Sequence, residues 1–169
     1  EVKSLKAELM VSRAETNAIA QAMKLLKKHK GTELEPEIQF RLAELYMRKS
    51  KTDRFFEVHR ESDTVVKLAP RQTKDASSRS SVQKAVETYK MIQTKFKDFP
   101  QMDVVVFNHA FASQVVGNEK DAETLYHQLV TKHQGSPLVP DAYLALGEIS
   151  FNRAQFPQAL EQFNAIKRY

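Results

Sequence analysis

Three alanines, Ala85, Ala122 and Ala159, recur at intervals of 37 residues, and each is followed by an aromatic four residues on (Tyr89, Tyr126, Phe163) and an aliphatic seven on (Ile92, Leu129, Ile166). Spacing of i, i+4 and i+7 puts the three side chains on one face of a helix, where the small alanine admits a neighbouring helix and the aromatic fills the space beside it. A unit this short cannot bury its apolar face alone, so a period of this length constrains the chain to stacked copies of one supersecondary motif.

A second helical pattern precedes two of these packing helices. Val106, His109, Ala110 and Ser113 correspond to Tyr143, Leu146, Gly147 and Ser150, again 37 residues apart, so each unit reads as a helical hairpin. The turns agree: Gly117 can close a helix in the left-handed conformation, Asn118 and Asp121 can cap the next, and Pro157 suits a first helical turn. The connector His133-Gln134-Gly135-Ser136-Pro137-Leu138-Val139-Pro140-Asp141 ends one unit and begins another.

A similar connector, His29-Lys30-Gly31-Thr32-Glu33-Leu34-Glu35-Pro36-Glu37, lies 104 residues earlier, which is two periods plus 30. An insertion of 30 residues therefore splits one hairpin. Its first part, residues 49–68, carries Phe55, Phe56, Val58, Val65, Val66 and Leu68 and can prolong the preceding helix. Residues 70–81, with four serines and three basic residues, have loop composition and are read as a surface loop rather than a docking or phosphorylation segment. The expected organisation is one all-α solenoid of about seven helices over residues 1–169: a packing helix in 1–30, a repeat in 35–97 carrying an insertion at 49–80, and repeats in 102–133 and 138–169.

The 41% apolar and 28% charged content is that of a folded chain, and no apolar run is long enough to cross a bilayer. The sequence starts without Met and stops inside a patterned segment, so it reads as a piece of a longer protein whose leader or anchor would be absent. With no cysteine there is no disulfide or thiolate metal site. Residues 1–100 hold 21 Lys/Arg against 14 Asp/Glu, while the remainder holds 5 against 7. Such asymmetry can steer an acidic partner, although a solvated basic helix face is the more usual cause.

Leu146-Gly147, Ala159 and Phe163 resemble the signature of the tetratricopeptide repeat, as do Leu42-Ala43-Tyr46 with Ala85 and Tyr89, and more loosely His109-Ala110, Gly117, Ala122 and Tyr126. The resemblance covers about residues 14–169 and departs from the family in lacking the helix-opening Trp and in placing Ser113 and Ser150 where Tyr is usual. It implies a right-handed superhelix of antiparallel hairpins and says nothing of chemistry. The connectors resemble those in repeats of bacterial envelope proteins, among them outer-membrane assembly lipoproteins, Tol-Pal coordinators and gliding-motility scaffolds, and the split first hairpin, reading Arg41-Leu42-Ala43-Glu44-Leu45-Tyr46-Met47-Arg48-Lys49-Ser50, most resembles the motility-type members. That resemblance implies a periplasmic or envelope location, with the cytoplasm as the alternative.

Motifs for phosphate loops, zinc proteases, serine nucleophiles and calcium loops are all absent, so no enzyme, cofactor or metal is expected. His29 and His133 share a repeat-end position and read as helix terminators, whereas His109 stands where the repeat packs a Leu. The clusters Glu33, Glu35, Glu37 and Glu119, Asp121, Glu123 fall at predicted helix starts, where carboxylates interact favourably with the dipole. Lys24, Lys27, Lys28 and Lys30, and Arg48, Lys49, Lys51 and Arg54, form basic runs without the interleaved aromatics of a single-strand platform. Nucleic acid, or another acidic partner on this basic face, is thus the second reading behind a protein partner.

By the resemblance, the first helices line a concave surface made by Phe40, Arg41, Glu44, Met47 and Arg48, then Phe107, Asn108, Phe111 and Gln114, then Leu144, Glu148, Phe151 and Asn152. The Lys/Asn clamp by which chaperone-binding members hold a C-terminal carboxylate is missing there, and an apolar-centred groove suits an extended or helical segment of another protein. Leu160, Phe163 and Ile166 form a strip that a further repeat would cover, and self-association through this last helix is expected where it is left bare.

Overall fold

The structure is a computed structural model that describes residues 2–62 and 75–169, with side chains described over 6–56 and 77–169. The described residues are all-helical: α1 (Val2–Lys28), α2 (Glu35–Ser62), α3 (Asp75–Lys95), α4 (Met102–Val115), α5 (Glu119–Lys132), α6 (Val139–Asn152) and α7 (Phe156–Ala165), then a 3-10 turn at Ile166–Arg168. Two compact units divide the chain, Glu1–Thr88 and Tyr89–Tyr169.

In the first unit α1 packs along α2. Gly31, at φ +77°, turns the chain between them, and its N–H donates to Glu35 Oε2 at 2.6 Å, so this acid closes the start of α2 as its position implies. Beyond residue 49, α2 continues to Ser62, as Phe55, Phe56 and Val58 suggest, and the expected continuation over 63–68 lies outside the described residues. Residues 75–81 correct the loop reading, because they form the first turns of α3. Their serines serve the helix contact: Ser78 shares a hydrogen bond with Ser50 Oγ at 3.1 Å and donates to the Ser50 carbonyl at 3.2 Å, and Ser77 donates to Asp53 at 3.1 Å. The rest of the expected loop, residues 70–74, lies outside the described residues.

The second unit shows the period directly. Helices α4 and α6 begin 37 residues apart, as do α5 and α7; α4 packs with α5 and α6 with α7 as hairpins, and α5 also packs on α6. Val106, Ala110, Ala122, Tyr126, Leu129, Ala142, Leu146 and Ile149 make one buried core, and Ala159 is buried in the last hairpin. Placing a Cβ on Gly147 would bring it to 2.2 Å from Phe163 Cε1, so the glycine is what lets this aromatic lie against α6. One hairpin earlier, Ala110 and Tyr126 hold the same two places.

Several turn expectations hold. Gly117 is left-handed at φ +85°, Pro157 sits in the first turn of α7, and His133 caps the C-terminus of α5. Asn118 does occupy the N-cap of α5, but its side chain makes no capping bond to the backbone and donates instead to Asp121 Oδ2 at 2.6 Å. Glu119 and Glu123 both receive the Arg153 guanidinium, at 3.0 and 2.6 Å, which ties the turn of the last hairpin to α5.

Candidate functional site

An open cavity of about 460 Å³ lies in the second unit among α4, α5 and α6. Helix α4 contributes Phe107, Phe111, Gln114 and Val115, and α6 contributes Asp141, Leu144, Ala145 and Glu148. Each set recurs at three- and four-residue intervals, so one face of each helix lines the wall. Tyr126 of α5 lies between them, its ring 5.7 Å from that of Phe107 in an edge-on arrangement.

Apolar groups dominate the wall, and the polar ones are few. Tyr126 Oη donates to Gln114 Oε1 at 3.2 Å, which fixes the amide and leaves its nitrogen with two N–H donors. Burial, with the nearby Glu148 carboxylate adding to it, pushes the Tyr126 phenol up to about 12, so it stays a neutral donor at physiological pH. Phe111 is 43% exposed and Leu144 and Val115 nearly the same, which is unusual for large apolar groups clustered on facing helices.

Five residues expected in a groove are thus brought together: Phe107, Phe111, Gln114, Leu144 and Glu148. Asn108 is half-buried on α4, and Phe151 and Asn152 are exposed at the end of α6, all three outside the cavity wall. Phe151 stacks edge-on against Phe156 at 5.5 Å instead. In the first unit, Glu44 and Met47 are half-buried and Arg48 exposed, whereas Phe40 corrects its expected role: at 2% exposure it is a buried residue, not an open wall. Arg41 lies exposed over the Phe40 ring at 5.6 Å and pairs with Glu37 and Glu44, each at 2.9 Å.

Val115, Tyr126, Asp141 and Ala145 were not anticipated as lining. Val115 and Asp141 were legible, because they extend the faces of Phe111 and Leu144 by four and three residues. Tyr126 belongs to the packing helix, and nothing in a linear pattern says that one edge of a core aromatic also floors a cavity.

His109, on the face of α4 turned away from this wall, is buried with Nδ1 lacking a hydrogen-bond partner. Desolvation lowers it to about 4, against a smaller upward pull from Asp121, with Lys90 adding to the lowering. No group of three or more His, Asp or Glu able to hold a metal occurs among the described residues, and no helix among them is long and apolar enough to cross a membrane. Comparison with protein-family models, with curated proteins and with solved structures gives no match.

Proposed function

We propose that the chain is a non-catalytic protein-interaction scaffold whose hairpins stack as a right-handed, tetratricopeptide-type solenoid. An extended or helical segment of a partner places its side chains in the α4–α6 cavity. The observation that carries this reading is the cavity itself: exposed apolar side chains on the first helices of two successive hairpins, over a hydrogen-bonded Tyr126 and Gln114. Its volume falls in the range of about 300 to 1,000 Å³ usual for binding pockets. The envelope location rests on the resemblance of the connectors and of the split first hairpin. Self-association through α7 belongs to the same reading: of the expected strip Leu160 is exposed, while Phe163 and Ile166, the latter in the 3-10 turn after α7, are half-buried.

The test is selection of displayed random peptides on the chain, followed by titration of the selected sequences against wild type and Phe111→Ala after circular dichroism shows equal folding. A central aromatic anchor carries about 1 to 3 kcal/mol in such contacts, so Phe111→Ala is expected to weaken binding by roughly 5- to 150-fold. Equal affinity for the two proteins would remove the cavity from the binding site.

A further inference from the structure

The cavity has a charge pattern that the groove reading does not use. The only charged residues on its wall are Asp141 and Glu148, both exposed on α6, and no Lys or Arg lines it. Neither carboxylate takes part in an ion pair among the described residues, although Glu119 and Glu123 of the same unit are both matched by Arg153. Asp141 lies in the first turn of α6, where the helix dipole favours an acid. Glu148 lies beyond the middle of the same helix and gains nothing from that source, so its position is unsupported within the unit.

The two acids stand seven residues apart with Leu144 and Ala145 between them, all on the face that lines the cavity. At about 1.5 Å per residue, two helical turns separate them by about 10 Å. An apolar patch with a carboxylate at each end is complementary to an apolar anchor that carries a cation on each side at the same spacing. On a helical partner that is Lys or Arg at positions seven apart with the anchor between them. Complementary rim charges set orientation, association rate and discrimination more than total affinity.

We propose that the occupant of this cavity is a basic amphipathic helix, its apolar anchor against Phe111, Val115 and Leu144 and its two flanking Lys or Arg side chains against Asp141 and Glu148. The inference rests on the groove reading above and adds the partner's chemistry to it. The Gln114 amide nitrogen supplies the remaining donor for a polar group of the segment.

The probe is a designed helical peptide of about 15 residues, with a Leu and a Phe as anchor and Lys at the two flanking positions, titrated with the full chain by fluorescence anisotropy. Companion peptides carry Gln or Glu at those two positions. We expect the Lys peptide to bind about tenfold or more tighter than the Glu peptide, with the Gln peptide between them, and the gap to narrow with added salt. In the double variant Asp141→Asn, Glu148→Gln, at two exposed positions, the three peptides should converge to within about twofold. A Lys preference that survives in the double variant overturns the proposal. So does a Gln peptide that binds as tightly as the Lys peptide, in which case a loss on Phe111→Ala leaves the groove reading standing without its charge. Failure of every peptide, or binding indifferent to Phe111→Ala, overturns both.

Discussion

The hairpins α4–α5 and α6–α7 follow one plan and differ in what they cover. Residue for residue at a distance of 37, Ala110 becomes Gly147, Tyr126 becomes Phe163, His109 becomes Leu146 and Gly117 becomes Ala154. On the outer helix the change is one of surface: Glu119 and Glu123, which hold Arg153, become Phe156 and Leu160, exposed at 56% and 62%. The shared positions are those that set how two helices approach. The altered surface positions lie on the second helix of each hairpin, so the periodic skeleton tells how a hairpin is built and the breaks in it tell where two hairpins differ.

Removal of the repeated aromatic should separate the two hairpins most strongly. Tyr126 is buried in the core between α4, α5 and α6 and is hydrogen-bonded, while Phe163 is only half-buried against Gly147. Truncating a buried aromatic costs about 3 to 5 kcal/mol, through lost burial and the cavity left behind. Tyr126→Ala is expected to reach that range and Phe163→Ala about half of it, measured by urea denaturation. Equal losses would mean that the last hairpin is as fully packed as its neighbour.

That contrast also marks where the sequence was readable. The period, the packing faces and most of the boundaries of α4 to α7 follow from small and aromatic residues at fixed spacing, because helix contact depends on the size of those side chains. At two sites the role depends on a partner helix and is not written in the local pattern. Ser77 and Ser78 have loop composition, yet hydrogen-bond to α2. Phe40 stands at a position equivalent to the half-buried Phe107 and the exposed Leu144, yet is itself buried. Periodicity assigns a residue to a face, and only packing decides whether that face stays open. The cavity was legible as two helix faces, while its floor, Tyr126, and its unpaired acids required the fold.

His109 offers the next sharpest test, because its counterpart Leu146 has nothing to titrate. Desolvation holds the folded imidazole at about 4 against the ordinary 6.5. As pH falls the unfolded chain takes up its proton first, so stability is fully present above about pH 6.5 and declines through the window down to about 4. At about 1.36 kcal/mol per pH unit the loss amounts to roughly 3 kcal/mol. His109→Leu makes the first hairpin like the second and also removes the unpartnered Nδ1. The variant is expected to be less sensitive to acid than wild type across that window, followed by denaturant midpoint against pH. A parallel decline in both proteins would assign the acid sensitivity to other groups.

The smallest expected effect lies at the turn inside each hairpin. Helix α4 ends with Asn118 N–H donating to the Ser113 carbonyl at 2.8 Å and Gly117 N–H to that of Gln114 at 3.0 Å, and α6 ends with Gln155 donating to Ser150 and Ala154 to Phe151, each at 2.9 Å. The two closures are the same structure, and both need a left-handed residue at the same place. Gly117 takes φ +85° without penalty, whereas Ala154 is held at φ +59°, where its Cβ crowds the backbone. Strain of about 1 to 2 kcal/mol is relieved by glycine, and part of that gain is offset because glycine leaves the unfolded chain more freedom. Ala154→Gly is therefore expected to stabilise the chain by about 0.5 to 1 kcal/mol and Gly117→Ala to destabilise it by a similar amount, both read as shifts of the urea midpoint at unchanged slope. The signs must be opposite if the hairpins share one closure, and a loss of stability in both variants would show that the turn at Ala154 is built around its methyl group.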